Sequence, residues 1–154
     1  MAIEKVKEHF KKFGMEDRIL EFEVSSATVL EAAAAIGCEP EKIAKSLTFK
    51  VGDDAILIVA AGDAKIDNPK YKAELKAKAK MLSPDEVDVL IGHKIGGVCP
   101  FGINDGVKVY LDESLKRFQT VYPAAGSSNS AIELTISELE EYSNFLKWID
   151  VCKY

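Results

Sequence analysis

The strongest constraint on this chain lies in two adjacent segments whose hydrophobic patterns differ. Residues 44–51 alternate, with Lys45, Leu47, Phe49 and Val51 on one parity and Ser46, Thr48 and Lys50 on the other. That is the pattern of a strand with two unlike faces. Gly52, Asp53 and Asp54 supply a turn. Residues 55–60 are then continuously apolar, as in a strand covered on both sides. Together the segments predict a hairpin at the heart of a sheet, and a doubly covered strand requires helices packed over that sheet. Lys45 shares the parity of the apolar side chains, which sets its ammonium near the rim of the core.

The remaining segments supply those covers. Ile3, Val6, Phe10 and Phe13 recur at helical spacing before Gly14, and residues 19–24 read as a short strand. Thr28 is a suitable N-cap for a helix over 29–36 that Gly37 closes, with a turn starting at Pro40. Alanine and lysine dominate a predicted helix over 69–79, and Ser83-Pro84-Asp85-Glu86 opens another. A strand over 107–111, one or two helical turns in 112–118, and extended pieces at 120–122 and 132–134 follow. Thr135 and Glu138 have capping-box spacing ahead of a helix running to about Leu146. Helices and strands interleave without the regular alternation of a Rossmann fold. The expected fold is α+β, a mixed sheet flanked by helices. The 154 residues, 47% hydrophobic and 29% charged, suit one domain over 1–154 with a real core.

Composition removes several function classes. The first residues carry acids rather than the apolar stretch of a secretory signal, and no window approaches a membrane span, so a cytoplasmic protein without a membrane partner is expected. Cys38, Cys99 and Cys152 are odd in number and far apart, which indicates neither a disulfide framework nor a CxxC site. His9 and His93 alone make no convincing zinc site, and no metal or cofactor is expected. A net charge of −5 disfavours indiscriminate binding to DNA. Against that background residues 65–80 hold six lysines and only Asp67 and Glu74, either a solvated face or one that meets phosphates.

Two features could carry chemistry. Gly96, Gly97, Val98, Cys99, Pro100, Phe101 and Gly102 form a loop in which glycine lets the main chain approach a ligand and proline fixes the bend. Its amides could converge on a carbonyl or phosphate oxygen, although glycine content alone favours a structural turn. Lys45 could bind a phosphate or a terminal ribose, or steady charge in a transition state; the competing reading is a strand-end lysine reaching to water. A Ser46–Lys45 dyad is disfavoured because consecutive strand residues point to opposite faces. Cys99 as a nucleophile needs a base, and His93 is near in sequence but unproven in space. Ser127 and Ser128 lack a GxSxG elbow.

With Lys45-Ser46-Leu47 before a hairpin, GGVCPFG at 96–102, and Ala125-Gly126-Ser127 running into Ala131-Ile132-Glu133-Leu134, the chain resembles the YbaK/prolyl-tRNA-synthetase-associated editing domain family over nearly its whole length. The resemblance implies a partly barrel-like sheet surrounded by helices, acting in trans without a metal on aminoacyl-tRNA carrying the wrong amino acid, often proline tRNA. Prolyl-tRNA synthetase is a further partner it implies. Lys45 becomes the leading catalytic residue, near the terminal adenosine, and Gly96 and Gly97 begin the loop that holds the ester carbonyl. Thr28, Ser46, Val98, Cys99, Pro100, Phe101, Gly102, Gly126, Ser127, Ser128 and Asn129 are the matching candidates for substrate binding, and Lys70, Lys72, Lys76 and Lys78 for acceptor-stem contacts. Ala131 stands where cysteinyl-specific members tend to have aspartate, and Ser46 where alanyl-specific members tend to have asparagine. Esters of Cys, Ala, Ser and Thr therefore all stay open. The competing readings are a tRNA-binding or regulatory module that has lost hydrolysis, and a small-molecule binder with its loop around a phosphate.

Overall fold

The computed structural model describes residues 2–154. Helix α1 (Ala2–Lys11) buries Ile3, Val6 and Phe10 and leaves its lysines and glutamates outward, as its spacing requires. Strand β1 (Ile19–Glu21) is shorter than the predicted 19–24. Helix α2 (Val29–Ile36) has the predicted ends: the Thr28 side chain accepts from the Glu31 amide, and Gly37 takes the left-handed conformation at φ 84°.

The predicted hairpin is the centre of the molecule. Strand β2 (Ile43–Val51) pairs antiparallel with β3 (Asp54–Ala61) along its length, with Lys45 opposite Ala60 and Phe49 opposite Ile56. From Ile56 to Ala61 no side chain of β3 is more than 2% exposed. Each fully buried large aliphatic there contributes roughly 1.5–3 kcal/mol relative to leaving it in water, which pins this strand as the innermost element.

After the hairpin come β4 (Lys65–Ile66), helix α3 (Asn68–Leu75), and helix α4 (Pro84–Glu86), which continues as a π-helical stretch over Val87–Ile91. Strand β5 (Lys108–Asp112) runs into a 3-10 turn over Glu113–Arg117. Strands β6 (Thr120–Pro123), β7 (Ser130–Ile132) and β8 (Leu134–Thr135) lead to helix α5 (Ile136–Ser143), then β9 (Lys147–Ile149) and β10 (Cys152–Lys153). Six strands form one curled, half-barrel sheet in the order β8-β6-β2-β3-β5-β9, and β1-β7 and β10-β4 form two separate two-stranded pairs. The α+β expectation holds, and the barrel-like curl with it.

Two local expectations need correction. The lysine-rich helix stops at Leu75 rather than Ala79: Lys76 turns left-handed at φ 59°, and the chain then runs alongside β2, where Lys80 O accepts from Lys50 N at 2.8 Å. Tertiary pairing outweighs helix propensity there. Helix α5 ends at Ser143, with Asn144 left-handed, not at Leu146. Beyond it β9 adds parallel to β5, and β10 pairs with β4, strands too short for sequence to reveal. Asp112 ties this C-terminal region to the sheet: fully buried, its carboxylate accepts from Ser114 N and Val151 N, both at 2.9 Å.

Helix α1 also seats two glycines. A Cβ on Gly126 would lie 2.8–2.9 Å from atoms of Val6, Ala2 and Ile3, and one on Gly102 would lie 3.0 Å from the Lys5 backbone.

Candidate active site

A gap in the sheet creates the site. On the side of β2 away from β3, β6 pairs only with Ile43 and Ala44. The returning chain meets β2 again at Phe49 and Thr48, through the Phe49–Met81 bridge and the Leu82 N to Thr48 O bond of 3.2 Å. Among the described residues no strand covers the edge between these two contacts. A cavity of about 220 Å³ opens there, bounded by Lys45 and Ser46, the start of α2 (Thr28, Val29, Ala32), the glycine loop (Ile95, Gly96, Val98), and Tyr122, Ala124, Ser130 and Ala131. It is smaller than the roughly 300–1,000 Å³ of a drug-sized ligand site, and its wall is mostly small and apolar.

Lys45 is half-buried, and its Nζ donates to the carbonyls of Ala64 and, at 3.3 Å, Gly62. Burial holds its pKa below the usual lysine value, opposed by the nearby Cys152 and Asp63. Asp63 is itself clamped by Arg117 through bonds of 2.6 and 3.0 Å. Lys45 thus lines the cavity while its ammonium is fixed by the backbone carbonyls that follow β3 rather than neutralised by a carboxylate.

The glycine loop owes its shape to contact. Gly96 has φ 97°, a conformation L side chains rarely adopt. Gly97 is excluded from carrying a side chain by space: a Cβ would sit 2.6–2.8 Å from the backbone of Gly126 and Ser127. The two strands of loop are also bonded, with Gly126 N donating to Gly97 O at 3.1 Å. Gly97 N donates to Lys94 O at 3.0 Å, whereas among the described residues the amides of Gly96 and Val98 have no acceptor. Ile95, Gly96 and Val98, the loop residues that line the cavity, thus all have amides without an acceptor among the described residues.

Other residues proposed for this loop lie elsewhere. Cys99 and Phe101 are fully buried in the core, where Phe101 packs on Phe10 with ring centres 4.7 Å apart. Pro100 and Gly102 border a separate cleft beside α1. Burial pushes the Cys99 thiol up to about 12. His93 does lie beside it, with Nε2 3.5 Å from Sγ, but that nitrogen donates to the Phe101 carbonyl at 2.7 Å and burial lowers the histidine pKa. A ring whose proton is already committed to a carbonyl cannot activate the thiol, so the pair supports the loop from behind.

Thr28 reaches the cavity but is engaged as the α2 cap, its hydroxyl also donating to Glu31 at 3.2 Å. Gly126, Ser127 and Ser128 line a neighbouring cavity with Lys5 and Lys94 on the far side of the glycine loop. Asn129 closes this turn, its side chain donating to Phe22 O at 2.9 Å. The sequence reading missed Ser26, Ala27, Ile43, Ala44, Ile95, Tyr122, Ala124 and Ser130, because the cavity is a tertiary gap and its small residues carry no local signature. Tyr122 is the most structured of these: its hydroxyl donates to Glu133 at 2.8 Å.

The basic segment is split. Lys70 bonds Asp150 at 3.1 Å and Cys152 O at 3.0 Å, while Lys72, Lys76 and Lys78 are exposed. No group of three or more His, Cys, Asp or Glu among the described residues is placed to hold a metal ion, and no helix among them is long and apolar enough to cross a membrane.

Comparison with known proteins places these features in context. The model of the aminoacyl-tRNA editing domain matches residues 23–142. The uncharacterized protein YwhH of Bacillus subtilis is 58% identical over 154 residues, covering 99% of this chain and 98% of that protein. The proline–tRNA ligase of a Geobacillus strain is 30% identical over 90 residues, 58% of this chain and 16% of the ligase. A crystal structure described as that of a candidate trans-editing enzyme for prolyl tRNA synthetase superposes with a TM-score of 0.88 at 29% identity, covering 99% and 98% of the two chains.

Proposed function

Because the chain belongs to the aminoacyl-tRNA editing domain family, we propose that it acts in trans to hydrolyse the ester of a mischarged tRNA, in particular proline tRNA carrying a small amino acid. The observation that carries this reading is that Lys45 and two loop residues with unpaired amides, Gly96 and Val98, line one cavity sized for a small aminoacyl group. The similarity to prolyl-tRNA ligases and to the trans-editing structure supports the choice of proline tRNA.

In the proposed reaction the aminoacyl group enters the gap beside β2 and its carbonyl oxygen meets the loop amides. Water adds to the carbonyl carbon, and negative charge builds on that oxygen. Donors placed beforehand for that charge are worth about 2.7–4 kcal/mol each. Collapse of the tetrahedral species expels the ribose oxygen, which takes up a proton, leaving the free amino acid and uncharged tRNA. Cys99 has no part, being protonated and buried. The proton of the attacking water passes to a group of the substrate or to solvent. Lys45 holds the negatively charged end of the tRNA against the cavity.

The test is deacylation of a panel of labelled aminoacyl-tRNAs by the native protein and by Lys45→Ala. Release from at least one mischarged proline tRNA, falling by about 10²-fold or more in the variant, is expected. Absence of release from every charged tRNA refutes the proposal.

A further inference from the structure

We infer that Arg117 is a positioning residue for Lys45: by taking both oxygens of the Asp63 carboxylate, it keeps that carboxylate from capturing the lysine ammonium. The role rests on the editing reading above and deepens it by naming what leaves its cation available.

The two carbonyls that accept from Lys45 Nζ belong to Gly62 and Ala64. Asp63 lies between them in the chain, one Cα step of about 3.8 Å from each. The turn that carries all three is tightly seated. Ala64 N donates to Ala61 O at 3.0 Å, and a Cβ on Gly62 would lie 2.0 Å from Pro40 O and 2.9 Å from Val29 Cγ1. An ammonium has three donors, and two are engaged here, which leaves one for a ligand. A half-buried ammonium with a carboxylate so close ordinarily pairs with it, because charge-assisted bonds are the stronger ones. Among the described residues no ion pair joins Lys45 to Asp63, although the Asp63 charge does act on Lys45. Both Asp63 oxygens are taken by Arg117 instead, Nη2 donating to Oδ1 at 2.6 Å and Nη1 to Oδ2 at 3.0 Å. Such a two-pronged pair fixes direction as well as charge. Arg117 is itself held in place: Nε donates to Ser114 O at 2.9 Å, and the guanidinium lies 3.8 Å from the Tyr154 ring centre and 4.9 Å from that of Phe118. Ser114 completes the circuit, its hydroxyl accepting from Ala61 N at 3.1 Å at the root of the Asp63 turn. With both side chains about a third exposed, the pair adds little to stability, so its consequence falls on Lys45.

The experiment compares the native protein with Arg117→Ala, Arg117→Lys, Asp63→Asn and the double variant Asp63→Asn/Arg117→Ala. Deacylation of a mischarged proline tRNA is one readout. The other is the Lys45 pKa, followed by NMR of ¹³C at lysine Cε, with the Lys45 signal identified by its loss in Lys45→Ala. Arg117→Ala frees the carboxylate, so kcat/KM should fall by about 10-fold or more and the Lys45 pKa should rise. Asp63→Asn removes the charge, so the Lys45 pKa should fall; Cys152 and Lys65, which also act on Lys45, are the same in every variant. The double variant should recover kcat/KM to within about 3-fold of Asp63→Asn alone. Arg117→Lys keeps a cation on Asp63 and should hold both readouts closer to native than Arg117→Ala does. A double variant as slow as Arg117→Ala overturns the inference and leaves Arg117 a structural clamp, as does a Lys45 pKa that is unmoved or lower in Arg117→Ala. A native protein that releases no amino acid from any charged tRNA overturns the editing reading instead, and the two opposite pKa shifts then decide by themselves whether Arg117 keeps Asp63 from Lys45.

Discussion

Replacing Gly97 by alanine isolates one physical term. Its φ lies outside the left-handed region, so alanine meets no backbone strain, and the whole effect comes from space. The added Cβ would stand 2.6 Å from Ser127 N, 2.7 Å from the Gly126 carbonyl carbon and 2.8 Å from Ser127 Cα, all main-chain atoms that cannot rotate away. Overpacking of this kind costs about 1–3 kcal/mol. Parting the two loops also weakens the 3.1 Å bond from Gly126 N to Gly97 O, worth about 1 kcal/mol. A loss of about 2–4 kcal/mol corresponds to a fall in Tm of roughly 4–16 °C for a domain of this size. Calorimetry on native and variant proteins measures it, with Gly52→Ala as the control. Gly52 has φ 62° and nothing within 4 Å of a would-be Cβ, so it carries only the left-handed term, about 1–2 kcal/mol. A Gly97→Ala protein that melts within a degree of the native one refutes the close-contact reasoning.

Three further outcomes are expected. Under native conditions at pH 8 a thiol reagent should modify Cys38 alone, because Cys99 and Cys152 are buried with pKa values pushed up to about 12, and all three should react in denaturant; rapid native labelling of Cys99 counts against its placement. His9 and His93 both have pKa values lowered by burial, so the folded state resists their protonation. Their contribution is intact above the unfolded value of about 6.5 and is lost as pH falls below it, so urea midpoints should decline between pH 7.5 and 5.5, and a flat profile contradicts it. Charge reversal at Lys72, Lys76 and Lys78 should raise KM for aminoacyl-tRNA and flatten its dependence on salt, and unaltered salt dependence places the tRNA elsewhere.

Where local chemistry decides the structure, the sequence was a sound guide. Thr28 and Gly37 bracket α2 as expected, Ser83–Glu86 and Thr135–Glu138 form the reciprocal capping bonds their spacing announces, and the 44–60 segment is the central hairpin. Each of those signals is satisfied within a few residues. The early stop at Lys76 was hidden because the competing partner, β2, lies more than twenty residues away in the chain, and β9 was hidden because three residues gain strand character only beside β5. The site divides in the same way. Lys45 and the glycine loop were visible by residue type, but the partners that define them are main-chain carbonyls and amides, which no side chain announces. Gly97 illustrates the limit: it was picked as a donor of its amide, and its amide is bonded to Lys94 while its missing side chain makes room for Gly126 and Ser127.

Helix α1 lies outside the matched stretch of 23–142, yet it abuts both Gly126 and Gly102, and Gly126 in turn abuts Gly97. The arrangement is a mechanical linkage with a single abutment. The helix packs on Gly126 through Val6 Cγ2 and the backbone of Ala2 and Ile3, and on Gly102, at the loop's other end, through the backbone of Lys5. Ten residues at the start of the chain therefore brace the loop beside a cavity that none of them lines.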